Sequence, residues 1–216
     1  MKILDACRLQ PNYLKMKLNN GQLGNFISRI KLKRSRMDPY RKQVNNLMED
    51  LEKYINEDDS TGIKVTRAIL AGSWKKGTIL RATGDRPIDI DLVLYVEGDA
   101  NLQDDLEKLH DLVVDYLKKI YPTQDILRDV DAKGKTKSIK IKSTGTGLEV
   151  DIVPVVPMPS PKDYVWQPQR GGGGEKYVTS VAKQLEFGAW HRSNNSSYTS
   201  IVRALKWWRN YKELDE

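Results

Sequence analysis

The 216-residue sequence contains one cysteine and two histidines, so the side chains that most often bind zinc are scarce. Cys7 has no partner for an intramolecular disulfide bond, and the counts exclude a tetrahedral zinc site built from Cys and His. No apolar run approaches the roughly 18–20 residues that cross a membrane. Asp5 and Arg8 stand where a secretory signal would be apolar. We therefore expect a soluble cytoplasmic protein with no membrane partner.

Positive charge is concentrated at the amino-terminal end. Residues 1–42 contain eleven Lys or Arg and two Asp, a net charge of +9, against +7 for the whole chain. A basic block of this kind can bind nucleic acid or phosphates, and it can equally be the solvated face of a helix. The expected partner here is nucleic acid or a regulatory protein. The densest run consists of Arg29, Lys31, Lys33, Arg34 and Arg36.

Hydrophobic periodicity predicts an α/β fold with a mixed β-sheet flanked by helices. Asp38 as the N-cap and Pro39 in the first turn predict the start of a long helix. A loop rich in proline and glycine is predicted over residues 157–174. Strands are predicted at residues 65–71, 88–96, 126–130, 137–142 and 148–156, and further helices at 102–117, 179–190 and 197–211.

Asp89 and Asp91 stand out among several acidic pairs with the same spacing, because they lie in a strongly apolar predicted strand. Strand geometry puts both carboxylates on one face, about 6.5–7 Å apart. Two like charges beside a core are costly unless a cation joins them. Carboxylate ligands without His or Cys suit Mg²⁺ or Mn²⁺. The pair therefore indicates a site for a hard divalent cation.

A second strand of the same type runs through Leu148-Glu-Val-Asp-Ile-Val-Pro, in which Glu149 and Asp151 share a face. If this strand pairs beside the first, Asp151 supplies a third carboxylate. Two metal ions about 3.5–4 Å apart would then clamp the attacking and leaving oxygens of a phosphoryl transfer. The alternative is that these acids cap the sheet or pair with Lys and Arg.

The predicted turn Ala71-Gly-Ser-Trp-Lys-Lys-Gly-Thr precedes the Asp89 strand and has the character of a phosphate-binding turn. Gly72 allows backbone N–H groups to approach a phosphate, Ser73 can donate a hydrogen bond, and Lys75 or Lys76 can neutralise charge. The turn is not a Walker A loop, whose spacing is absent. The last predicted helix carries Arg203 and Lys206 on one face, which by themselves also suit a surface cation pair.

The ordered set of Gly72-Ser73, Asp89-x-Asp91 and Asp151 resembles the DNA-polymerase-β-type nucleotidyltransferase superfamily. The segments GSWKKGTILR, DIDLVLYV, LEVDIVPVVP and IVRALKWW are most similar to 2′-5′-oligoadenylate synthetases and to the bacterial cyclic-oligonucleotide synthases (CD-NTases) of anti-phage signalling. The similarity runs from about Val65 to the end of the sequence.

This resemblance implies a Mg²⁺-dependent nucleotidyltransferase with two metal ions, for which Mn²⁺ is an alternative. Asp89, Asp91 and Asp151 would be both the metal ligands and the catalytic residues, and Asp151 would help to activate the acceptor hydroxyl. The implied nucleotide-binding residues are Gly72, Ser73, Lys76, Arg203 and Lys206. The implied fold is a nucleotidyltransferase core with a long amino-terminal helix and the start of a helical carboxy-terminal lobe.

The implied organisation is a basic segment with its long helix (residues 1–62), the nucleotidyltransferase core (63–178) and a truncated helical lobe (179–216). The expected reaction joins nucleoside triphosphates into a cyclic or linear oligonucleotide messenger and releases pyrophosphate. Two alternatives stay open at this point. In the first, the acceptor is an RNA, a protein or a small molecule. In the second, the chain is a non-catalytic module that binds nucleotide or RNA.

Overall fold

The computed structural model describes residues 19–83, 86–99, 102–130, 136–167 and 177–214. The glycines at 171–174, within the predicted loop, lie outside these ranges. The helices are α1 (Asn20–Ile30), α2 (Asp38–Asn56), α3 (Gly72–Lys75), α4 (Leu106–Ile120), α5 (Val181–Asn194) and α6 (Tyr198–Tyr211). The strands are β1 (Lys64–Leu70), β2 (Asp89–Glu97), β3 (Asp125–Val130), β4 (Thr136–Lys142), β5 (Glu149–Pro157), β6 (Val165–Gln167) and β7 (Tyr177–Thr179).

The strands form one mixed sheet, which confirms the predicted α/β class. Its main order is β1-β2-β5-β4-β3, with β6 added to β5 and β7 added to β6. Strands β2 and β5 are parallel, and the remaining pairs are antiparallel. The two strands that carry the predicted carboxylates are therefore direct neighbours in the centre of the sheet.

One face of the sheet carries the main hydrophobic core under helices α2 and α4. Because strand side chains alternate, every second residue of β2 and β5 points to this face. Ile90, Leu92 and Ile152 are fully buried there, as are Leu51 of α2 and Leu109 of α4. Full burial of each such side chain contributes about 1.5–3 kcal/mol. The central strands are thus fixed firmly in place from this side.

The opposite face carries a smaller apolar cluster that includes Val93, Val155 and Val181. Asp89 and Asp91 have the same strand parity as Val93, so they lie on this second face, nearer the start of β2. The alternation that buries one side of β2 in the main core therefore presents the two carboxylates on the other side. Among the described residues, no helix is both long enough and apolar enough to span a bilayer.

Some local predictions were wrong. Met37, not Asp38, is the N-cap of α2, and Asp38 instead forms an exposed ion pair with Arg41 at 3.3 Å. Helix α1 was not predicted, although Asn19 and Gln22 form a capping box at its start. Strand β6 lies inside the predicted loop over 157–174, and α4 begins at residue 106 rather than 102.

Candidate active site

The carboxylates of β2 and β5 are brought together by the register of the parallel pair. Asp91 is directly paired with Asp151, and Asp89 is paired with Glu149. Neighbouring strands are about 4.8 Å apart, and paired residues point to the same face. Four acidic side chains therefore share one small area of the sheet. The adjacency on which the third carboxylate depended is present in the structure.

The turn after β1 lies on top of Asp91. The Ala71 backbone N–H donates a hydrogen bond to the Asp91 carbonyl at 2.8 Å. Gly72 begins α3 with a positive φ of 48°, and a Cβ atom placed on it would overlap the Asp91 carboxylate. Only glycine permits both this backbone conformation and this close approach. The predicted turn and the predicted carboxylate are thus parts of one site.

A lysine balances part of this negative charge. Lys140 of β4 is directly paired with Asp151, and its Nζ lies 3.2 Å from Glu149 Oε2 and 3.7 Å from Asp151 Oδ1. Lys142 Nζ lies 3.5 Å from the other oxygen of Glu149. Desolvation alone would lower the pKa of Lys140, but Asp151 and Glu149 outweigh it and the pKa is raised. The ammonium therefore stays charged between the two acids.

A cleft of about 670 Å³ opens beside these residues. Its wall includes Ser73, Asp89 and Glu149 on the sheet side and Lys206 on the α6 side. Asp91 and Asp151 are not among the residues that line it. Asp91 is covered by Gly72, and Asp151 lies beside Lys140. The cleft has room and polar groups for a charged ligand.

Asp89 has an unusual proton affinity in this setting. Its outer surface is open to the cleft, yet the surrounding protein removes part of its water, and this desolvation is the main reason that its pKa rises to about 6. The negative charges of Asp91 and Glu149 act in the same direction, while Lys140 and Lys206 partly oppose it. A cation bound beside Asp89 would stabilise the charged carboxylate and so counteract this shift of the pKa.

The predicted nucleotide-binding cations occupy three different environments. Lys206 lines the cleft and lies close enough to Asp89 to lower its pKa. Arg203 instead donates a hydrogen bond to the Gly77 carbonyl, just after α3, and its burial lowers its pKa. The stem of Lys76 lies beside α5, where a Cβ atom added to Gly188 would be 3.4 Å from its Cγ. Of the three, Lys206 alone lines the cleft.

The residue types on this face fit a hard divalent cation, since carboxylate oxygens are the ligands that Mg²⁺ and Mn²⁺ prefer. Their present positions are less favourable. Within the described parts of the chain, no three Asp, Glu, His or Cys side chains converge closely enough to hold a metal ion. Lys140 already supplies a positive charge between Glu149 and Asp151. Asp89, Asp91 and Asp151 therefore offer the carboxylate oxygens that a cation requires, on one face of the sheet. Their side chains do not converge on a single position.

Several residues around this site were given no functional role from the sequence. Lys140 was recognised only as part of an alternating strand, because its contact with Asp151 depends on a strand register that the sequence does not reveal. Trp207 and Tyr211 of α6 line the cleft, and their rings stack at 5.2 Å. Their spacing of four residues signals a shared helix face. The spacing does not reveal which part of the protein that helix face contacts.

Comparisons with known proteins identify the family of the chain. Residues 16–195 match the model of the Second Messenger Oligonucleotide or Dinucleotide Synthetase domain, SMODS. The chain is 33% identical over 199 residues to a CBASS oligonucleotide cyclase CdnC of Escherichia coli strain KTE188, covering 92% of this chain and 62% of the relative.

Two solved structures of CdnC from E. coli MS115-1 are also similar. The structure with ATP has a TM-score of 0.67 and 28% identity, covering 92% of this chain and 59% of that one. The complex with HORMA-deltaN has a TM-score of 0.64 and 27% identity, covering 88% and 56%. The chain therefore spans about 60% of the length of these relatives. With a domain match over most of its length, the chain belongs to the SMODS family of CD-NTase nucleotidyltransferases.

Proposed function

We propose that this chain is the nucleotidyltransferase core of an enzyme that joins nucleoside triphosphates into a cyclic or linear oligonucleotide in bacterial anti-phage defence. The observation that carries the proposal is the direct pairing of Asp91 with Asp151 beneath the Gly72-Ser73 turn. Family membership supports the substrate class, because the CdnC relative is an oligonucleotide cyclase and a CdnC structure contains ATP. The cytoplasm, which holds the nucleotides, is the proposed location.

In the proposed reaction, a 2′- or 3′-hydroxyl oxygen of one nucleotide attacks the α-phosphorus of another. A new O–P bond forms, the bond to the β-phosphate oxygen breaks, and pyrophosphate leaves. Asp151 receives the hydroxyl proton as a general base. Ser73 and Lys206, which both line the cleft, hold and neutralise the donor triphosphate. Holding both nucleotides in line contributes a large share of the acceleration.

Two Mg²⁺ ions, or Mn²⁺ in their place, are the proposed cofactors, with Asp89, Asp91 and Asp151 as ligands. Bound there, the ions would neutralise negative charge on the phosphate oxygens. Asp89, whose pKa is about 6, is mostly deprotonated and able to bind at neutral pH. Because the three side chains do not converge in the structure, binding requires Asp89 and Asp91 to turn towards Asp151. The support for this assignment is that all three residues offer carboxylate oxygens and lie on the same face of the sheet.

A nucleic-acid partner is proposed at the amino-terminal basic segment. A groove of about 580 Å³ lies beside α1 and shares Arg81 with the catalytic cleft. Among the described residues, its lining contains no acidic side chain. Such a groove suits a phosphate backbone better than a mixed protein surface, although CdnC from E. coli MS115-1 was solved in complex with HORMA-deltaN. The cationic residues of the lining are Arg29, Lys31, Lys33, Arg36 and Arg81.

Incubation with labelled nucleoside triphosphates and Mg²⁺, with products resolved by mass, tests the proposed activity. We expect oligonucleotide and pyrophosphate when nucleotides are the sole substrates, since a synthase needs no other acceptor. Product that forms only after RNA, protein or a small molecule is added would transfer the assignment to that acceptor. Saturable nucleotide binding without any turnover would favour the non-catalytic module. Duplex DNA and RNA, added separately, test the basic groove through salt-dependent binding.

A further inference from the structure

Lys140 is a charged residue of the site that the proposed reaction does not yet use. We propose that Lys140 is a positioning residue that fixes the carboxylate of Asp151, and that Glu149 holds Lys140 in place for this task. The inference rests on the proposed function, in which Asp151 receives the proton of the acceptor hydroxyl. The coupling of Lys140 to Asp151 can be tested in a protein that is not turning over substrate.

The strand register places Lys140 for this role. β4 and β5 are antiparallel, with Lys140 opposite Asp151 and Lys142 opposite Glu149. Directly paired side chains lie on the same face of a sheet. Lys140 is accordingly the cation that backbone pairing assigns to Asp151. Its Nζ lies between Asp151 Oδ1 and Glu149 Oε2, at 3.7 and 3.2 Å.

The electrostatic need for this cation follows from the neighbours of Asp151. Asp91 of the neighbouring strand β2 is paired with Asp151 on the side opposite Lys140. Glu149 precedes Asp151 by two residues in β5 and lies on the same face. Asp151 thus lies between two like charges, and about 16% of its side chain is exposed. Like charges at this distance disfavour the ionised form and push the side chains apart. The ammonium of Lys140 offsets that repulsion and holds Asp151 in place.

Glu149 acts as an anchor for the ammonium. It accepts the hydrogen bond from Lys140 at 3.2 Å, whereas the contact with Asp151 is longer and is an ion pair alone. A lysine held by Glu149 is therefore kept beside Asp151. This separates the two acids by role: Glu149 binds the lysine, and Asp151 stays available for the acceptor hydroxyl.

Lys142 provides a matched control. It is the same residue type on the same strand and face, and among the residues that the structure describes its ion pair is with Glu149, at 3.5 Å, and not with Asp151. Lys140→Met should lower kcat between about tenfold and a hundredfold while the KM for ATP stays within about threefold, because orientation and not nucleotide binding is lost. Lys142→Met should leave both constants near the parent values. Lys140→Arg should recover most of the loss.

A double-mutant cycle in EDTA tests the contact independently of turnover. Lys140→Met is introduced into the parent protein and into the Asp151→Asn variant, and Tm is measured. We expect the Tm loss to be smaller by roughly 2 °C in the Asp151→Asn background, because the paired charge is already absent. The same cycle with Lys142→Met should be additive.

Absence of coupling between Lys140 and Asp151 in the cycle would overturn the proposal. So would an unchanged kcat in Lys140→Met, or an equal loss in Lys142→Met. A raised KM with unchanged kcat would instead make Lys140 a nucleotide ligand. If the parent enzyme makes no product while the coupling is present, the proposed function fails and the fixing of Asp151 by Lys140 remains.

Discussion

Gly72 lies directly against the carboxylate of Asp91, and any side chain at position 72 would occupy the space of that carboxylate. The Ala71 N–H, which donates to the Asp91 carbonyl, fixes the turn to the same residue. The positive φ of Gly72 adds a second reason for glycine at this position. The turn proposed to bind phosphate therefore packs directly against the carboxylate proposed to bind metal, and a change in either one displaces the other.

Gly72→Ala should abolish nucleotidyl transfer, because the new methyl group displaces the Asp91 carboxylate and strains the turn. Gly145 offers a control: nothing lies within 4 Å of a Cβ added there. Gly145→Ala should leave activity and Tm near the parent values. Product formation by both variants is measured at saturating nucleotide and Mg²⁺. Equal activity in the two variants would contradict the close approach.

Asp91→Asn and Asp151→Asn should each remove product formation while the fold is retained, because an amide cannot replace a carboxylate as metal ligand or proton acceptor. Asp115, on the exposed side of α4, provides the control Asp115→Asn, which should remain active. Pyrophosphate release and circular dichroism are measured together. Full activity of either site variant in Mg²⁺ would remove that residue from the mechanism.

The raised pKa of Asp89 predicts a pH-dependent stability difference in metal-free protein. Since its folded-state pKa of about 6 exceeds the value of 3.8 for an unperturbed aspartate, the charged form opposes folding above pH 6. Stability should therefore rise as pH falls from 6 towards 4, when the folded protein takes up this proton. Asp89→Asn should have the higher Tm at pH 7.5 in EDTA, and the difference should shrink by pH 4.5. A difference that grows with falling pH would contradict the assignment.

Arg203 and Lys206 should respond differently to removal, although they are neighbours on α6. Arg203→Met removes the hydrogen bond to the Gly77 carbonyl and should lower Tm by roughly 3–6 °C. Lys206→Met removes a positive charge from the cleft wall and should raise the KM for nucleotide with little change in Tm. Thermal unfolding and initial rates distinguish the two. Identical effects of the two variants on Tm and KM would contradict the separate roles of Arg203 and Lys206.

The sequence predicted the central strands well because their hydrophobic patterns are strong. Residues 88–96 and 148–156 are nearly continuous apolar runs, and β2 and β5 begin and end within one residue of them. The acidic residues interrupt these runs at two-residue intervals, so the face shared by Asp89 and Asp91 followed from strand geometry alone. The candidate carboxylates were therefore accessible to sequence reasoning.

Features that depend on tertiary pairing were not accessible in the same way. The contact between Lys140 and Asp151 is set by the register of β4, which no local pattern encodes. The Arg203 bond to Gly77 joins residues 126 positions apart. Residues 165–167 are too short and irregular to predict as a strand, and they become β6 by pairing with the end of β5 on one side and with β7 on the other.

The central claim is that Asp89, Asp91 and Asp151 form one cation site that holds a nucleoside triphosphate in the cleft. The most direct measurement is a crystal structure with Mn²⁺ and a non-hydrolysable nucleoside triphosphate, with manganese located by its anomalous scattering. The account predicts two manganese peaks bound by these three carboxylates, with the triphosphate beside Ser73 and Lys206. A nucleotide bound without manganese at these residues, or manganese bound elsewhere, would contradict it.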